Sequence, residues 1–80
     1  MEANTSPLNL LPLGRKAVIE GLTAEGTNRR RMLELGLIQG SSVEALHRSP
    51  SGDPTAYSIM GAVIALRNED AEKILINSIQ

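Results

Sequence analysis

The sequence predicts a small, mainly β protein. The expected form is a closed barrel of about five short strands, with a short helix after the first strand and another before the last. Three observations carry this expectation. Apolar and polar residues alternate, or apolar residues run together, over five short stretches. Glycine- and proline-bearing turns separate those stretches, most densely at SPSGDP, residues 49–54. Helical periodicity is confined to residues 28–35 and to the few residues after Asn68. Two packed sheets with helices on one end are the alternative architecture. A closed barrel has the advantage of removing the edges a small sheet otherwise exposes.

In chain order, residues 1–7 are polar and are expected as a flexible leader, with residues 8–80 forming one domain. Leu8, Leu10, Leu11 and Leu13, broken by Pro12 and closed by Gly14, read as an irregular arm or single helical turn laid on the core. KAVIEGL, Lys16–Leu22, reads as the first strand, with Ala17, Ile19 and Gly21 on one side and Gly21 permitting a bulge. Thr27 or Asn28 can cap the helix over 28–35. On it Met32, Leu33 and Leu35 share one side, and Arg30 and Glu34 lie opposite. Gly36 stands where a left-handed residue ends a helix, so a positive φ is expected there. Leu37 and Ile38 continue apolar past the stop, and Gly40 makes a second turn. Ser42–Arg48 reads as a strand with Val43 and Ala45 inward, and 55–60 as the next. Residues 62–67, AVIALR, are the most apolar strand and are expected to be central, with Ile64 among the most buried residues. Asn68 is a plausible cap, with Glu69 and Asp70 at the positive end of the helix dipole. LINSI closes the chain as the last strand.

Composition excludes several functions. There is no cysteine, hence no disulfide framework and no thiolate metal site. A net charge of −1 and a pI near 5.7 remove the bulk attraction to nucleic acid that a basic domain has. Tyr57 is the only aromatic residue, too few to line a proline-peptide groove or to stack single-stranded bases. The longest apolar run, residues 62–66, is far short of a membrane span. MEANTSPLNLLPLG has no basic stretch ahead of its leucines and is not expected to act as a signal peptide. The expectation is a cytoplasmic protein that is not itself inserted in a membrane.

Three motifs resemble one family. RRMLELGLIQGSSVEAL, residues 30–46, resembles the FeoA pattern of a basic residue, Leu, two positions, Leu-Gly-Leu or Leu-Gly-Met, Pro-Gly and a strand. SPSGDP resembles that family's Gly-Asp-Pro loop. GAVIALRNEDAEKI, residues 61–74, resembles its apolar strand, Leu-Arg, charged pair, Ala and apolar close. Gln39 departs from the usual Pro and Met32 from the usual Leu. The resemblance implies an SH3-like barrel. It also implies a small cytoplasmic accessory protein of ferrous-iron transport, which docks on the cytoplasmic G-protein domain of a FeoB-type membrane transporter and modulates it. The same barrel forms the C-terminal domain of diphtheria-toxin-repressor-type metalloregulators, so a metal-linked regulatory domain is the alternative. A small oligomeric structural protein is a third reading, and monomer or weak homo-oligomer is the expected state.

The partner-binding candidates are Arg30, Arg31, Leu37, Ile38 and Met60. The plainer account of the arginine triplet, Arg29 to Arg31, is a solvated helix surface. Arg29 is expected to pack its stem and hold its head in water. The family's link to iron raises transition-metal binding. The donors are sparse: His47 alone, Asp53 in its turn, and Glu69 with Asp70 at a helix start. No intrinsic metal or cofactor site is expected, and any Fe(II) binding would be weak or shared with a partner. No catalytic group is expected, since the lone histidine has no nucleophile at a fixed spacing and Ser41 and Ser42 belong to a turn.

Overall fold

The computed structural model describes residues 5–78. Its elements are β1 (Thr5–Pro7), a 3-10 turn (Leu8–Leu10), β2 (Lys16–Leu22), α1 (Gly26–Glu34), β3 (Ser42–Arg48), β4 (Thr55–Ile59), β5 (Ala62–Leu66), α2 (Asn68–Ala71) and β6 (Ile74–Ser78). All neighbouring strands run antiparallel, in the order β1-β6-β2-β3-β4-β5. The expected five strands are β2 to β6, with α1 after the first and α2 before the last.

β1 is an addition. Thr5–Pro7, expected within a flexible leader, pairs with β6 as Thr5↔Asn77, Ser6↔Ile76 and Pro7↔Leu75. Residues 1–4 of that leader, and Ile79 of the last expected strand, lie outside the described residues. The arm that follows β1 does pack on the core: Leu8 and Leu11 are buried while Leu10 and Leu13 stay exposed.

Alternation sets the inner face. Ala17 and Ile19 on β2, Val43 and Ala45 on β3, and Ile74 and Ile76 on β6 are all buried in one cluster. The β2–β6 register shifts between Ile19 and Gly21, and the β3–β4 register between Ala45 and His47. Each shift inserts an extra residue, which bends the sheet around the cluster.

Two expectations about β5 are corrected. The mainly β fold holds, but among the described residues the strand order ends at β1 on one side and β5 on the other, with no pairing between them. The apolar strand is therefore an edge, not the centre. Within β5 only Leu66 is buried, and Ile64 is half-buried against the core from one side. An edge strand has one neighbour, so its hydrophobic residues cannot all be covered.

Met60 and Gly61 turn β4 into β5 with φ of 51° and 82°. Positive φ at both central residues makes a type I′ turn, whose twist matches that of the strands.

Candidate functional site

α1 starts earlier than its sequence signals indicate. The N-cap position is Glu25, and neither Thr27 nor Asn28 caps it. Its end follows the expectation. Gly36 has φ of 98°. The Leu37 N–H donates to the Met32 carbonyl at 3.0 Å and the Gly36 N–H to the Leu33 carbonyl at 3.1 Å. These are the two bonds of a Schellman stop, which also brings the residue after the glycine against the last turn. Leu37 is that residue and is completely buried, as is nearly all of Met32. Leu37 is thus removed as a partner-binding candidate: the Leu-Gly-Leu motif spends its second leucine on closing the helix.

Met32 is the only buried residue of α1. Leu33 and Leu35, expected to face inward with it, are each 40 % exposed. The helix buries one side chain and leaves an apolar and basic surface in water. Asn28, Arg31, Met32 and Leu35 form one wall of a small cleft closed by Leu66 at the end of β5 and Asp70 of α2. Its cavity is about 20 Å³, room for roughly one water molecule. The spacing 28, 31, 32, 35 is one helical stripe, so the wall was legible in the sequence once Leu33 is set aside. Leu66 and Asp70 were not, because tertiary packing alone brings them there.

The three arginines separate. The Arg29 Nη1 donates to the Leu22 carbonyl at 3.3 Å, tying the helix to the end of β2. Arg31 lines the cleft with Asp70. Arg30 is exposed and lines no part of it. Beyond the helix stop, Ile38 is 41 % exposed and Met60 is 70 % exposed. Met60 lies over Gly36: a Cβ built on Gly36 would meet the Met60 Sδ at 3.0 Å. The type I′ turn and the helix stop are therefore in contact.

Among the described residues no three histidine, cysteine or acidic side chains converge as metal ligands. His47 is exposed on β3. Asp53 has a structural task that sequence reasoning did not find. Its Oδ1 accepts the Asn68 backbone N–H at 2.9 Å, so it caps α2 from fifteen residues away. Asn68, expected to be the cap, instead sends its Nδ2 toward the Gly52 carbonyl at 3.4 Å. Ser49 and Ser51 fix the same loop by donating to the Asp53 carbonyl at 2.7 and 3.0 Å.

Beneath that loop the Arg48 Nε donates to the Thr55 Oγ1 at 3.1 Å. The Tyr57 hydroxyl is buried nearby with no partner in full hydrogen-bonding geometry, and the Thr55 hydroxyl is its polar neighbour. Burial pushes the Tyr57 pKa up, Asp53 adds to the rise, and Thr55 and Arg48 oppose it. No described helix is long and apolar enough to cross a membrane.

The sequence model of one family, the FeoA domain, matches residues 6–78. A Porphyromonas gingivalis protein named as a fusion of Fe(2+) transport protein A and the Fe(2+) transporter FeoB is 38 % identical over 72 residues. That match takes in 90 % of this chain but only 8 % of the fusion. A Stenotrophomonas maltophilia FeoA crystallised with zinc, described as a prokaryotic SH3 domain protein, superposes with a TM-score of 0.78 at 29 % identity. The superposition covers 89 % of this chain and 88 % of that one. A manganese-dependent transcriptional repressor superposes with a TM-score of 0.87 over 99 % of this chain and 44 % of its own, at 18 % identity. That last likeness shows the fold alone.

Proposed function

Since this chain belongs to the FeoA domain family, we propose that it is a non-catalytic accessory module of ferrous-iron transport. It docks on the cytoplasmic G-protein domain of a FeoB-type transporter through the exposed face of α1 and the adjoining β4–β5 turn. One observation carries this reading: α1 buries only Met32 and leaves Arg30, Leu33 and Leu35 in water, with Ile38 and Met60 exposed beyond its stop. Exposed apolar residues mixed with arginine are what a protein-binding surface presents, since arginine and methionine are enriched at interface cores. The occurrence of a similar segment fused to a FeoB transporter in Porphyromonas gingivalis supports association of the two functions. The regulatory alternative is weaker, because it rests on fold likeness to a repressor at 18 % identity.

The test is binding of the full chain to the transporter's cytoplasmic domain, with and without guanine nucleotide. Reversing Arg30→Glu and Arg31→Glu together is expected to leave the fold intact, because Met32 and the Gly36 stop are untouched, and circular dichroism checks this. Docking is expected to weaken about tenfold or more, and wild-type docking to fall as salt rises, since exposed charges are screened beyond about 8–10 Å. Unchanged affinity of the double variant at both low and high salt would return the triplet to a solvated surface.

A further inference from the structure

We propose that β5 is a pairing edge for a second copy of this chain, two β5 strands joining antiparallel about a two-fold axis at Ile64. The hairpin geometry fixes which groups are available. Ile59 and Ala62 flank a two-residue type I′ turn, so they exchange both hydrogen bonds. Antiparallel pairs alternate, so Tyr57↔Ile64 and Thr55↔Leu66 are also bonded pairs, and Ser58↔Val63 and Ala56↔Ala65 are not. The N–H and C=O of Val63 and Ala65 therefore point away from β4, toward the open edge. Among the described residues no turn, loop or side-chain hydrogen bond reaches residues 62–66.

This edge lacks the usual protection. Natural edge strands are short, charged, bulged or interrupted by proline. β1, the other edge, is three residues long and ends in Pro7, which has no N–H. β5 is five residues long, carries no charge and no proline, and keeps an unbroken register with β4. Val63 is 66 % exposed and Ala65 is exposed.

The occupant follows from symmetry. With Ile64 opposite Ile64 of the second copy, Val63 faces Ala65 of that copy and Ala65 faces its Val63. Both are pairs of outward-pointing residues, so the four groups on each strand are satisfied together in four hydrogen bonds. Registers centred on Val63 or Ala65 instead pair one of these residues with Gly61 or Arg67, outside the strand. Arg67 of each copy falls opposite the other's Gly61, which leaves the two guanidinium groups about 20 Å apart along the strands at 3.4 Å per residue. A net charge of −1 does not oppose association. β1 of a second copy is excluded as the partner strand by its length and by Pro7. A single strand pair buries little area, so the dimer is weak and concentration-dependent.

The experiment is sedimentation of the full chain over a concentration series to millimolar, with amide hydrogen exchange across the same series. Val63 and Ala65 amides are expected to gain protection as concentration rises, while the Ile64 amide, already bonded to β4, does not. Val63→Lys places a charge on the exposed edge, and Ala65→Pro removes an outward N–H that β4 does not use. Each is expected to weaken self-association at least tenfold while leaving the circular dichroism spectrum unchanged. If Ala65→Pro disturbs the fold, Val63→Lys decides alone. A monomer at every concentration overturns the proposal, as does a dimer indifferent to Val63→Lys. Protection of Val63 and Ala65 that comes only with the transporter's cytoplasmic domain also overturns it, and assigns the edge to a different chain.

Discussion

β4 and β5 are the two arms of one hairpin and are equal in length, yet they invert the usual relation between hydropathy and burial. β4, TAYSI, carries a threonine, a tyrosine and a serine, and every residue but Ser58 is buried. β5, AVIAL, is wholly apolar, and only Leu66 is buried. The difference is position in the sheet. β4 is flanked by β3 and β5, while β5 has β4 and then solvent. Hydropathy sets which residues gain from burial, but the number of neighbouring strands sets which can have it.

Matched isoleucines break the comparison most directly. Ile59→Ala on β4 removes a completely buried side chain and is expected to lose about 2–5 kcal/mol, much of the roughly 4–12 kcal/mol available to a domain of this size. Ile64→Ala on β5, half-buried, is expected to lose about half as much or less, and Val63→Thr about 0.5 kcal/mol or less in either direction. Urea denaturation of the three variants checks the order. Equal losses for the two isoleucines would mean that β5 is covered as fully as β4.

Two further changes act at the ends of the hairpin. Gly36→Ala forces a Cβ into a φ of 98° and against the Met60 Sδ at the β4–β5 turn, and is expected to lose about 1 kcal/mol or more. Thermal melts read this, and a stability equal to wild type would show that the helix stop tolerates a side chain. Asp53→Ala removes the carboxylate that caps α2 and is expected to lose about 1 kcal/mol, as for a helix N-cap. Asp53→Asn keeps an acceptor and is expected to lose less. The pair separates capping from any role of the negative charge.

These residues show what sequence reasoning reaches. The bounds of β2 and β3, their inward residues and the stop at Gly36 follow from alternation and from turn chemistry, which are local. The failures are non-local. Leu37 looks exposed past a helix end, until the Schellman bonds fold it inward. β5 looks central by composition, until the strand order puts it at an edge. Asp53 looks like a turn former, until the fold brings it to Asn68. In the candidate surface Arg30, Arg31, Ile38 and Met60 are exposed as expected. Leu33, Leu35, Leu66 and Asp70 were missed because two were assigned to the core and two lie on other elements.

A small effect at neutral pH is expected from a buried polar atom of the hairpin. The Tyr57 hydroxyl on β4 has no full hydrogen-bond partner. Removing an unsatisfied buried polar atom loses nothing that was bonded, so Tyr57→Phe is expected to change stability at pH 7 by no more than about 1 kcal/mol, and toward greater stability. The difference emerges in alkali. Burial is the main cause that raises the Tyr57 pKa above 10.0. Below about pH 10 both the folded and unfolded chains hold the proton, and the group contributes no pH dependence. Above it the unfolded chain releases the proton and the folded chain keeps it. Wild-type stability then falls with rising pH, by up to about 1.4 kcal/mol per pH unit, until the folded hydroxyl ionises too. Tyr57→Phe removes that component and leaves every other group's titration in place. Because Tyr57 is the only tyrosine and there is no tryptophan, phenolate absorbance of the folded chain reports this one site. Ionisation at the value of a free tyrosine, or an alkaline slope unchanged by Tyr57→Phe, would mean that the hydroxyl reaches water and that β4 is less enclosed than its burial indicates.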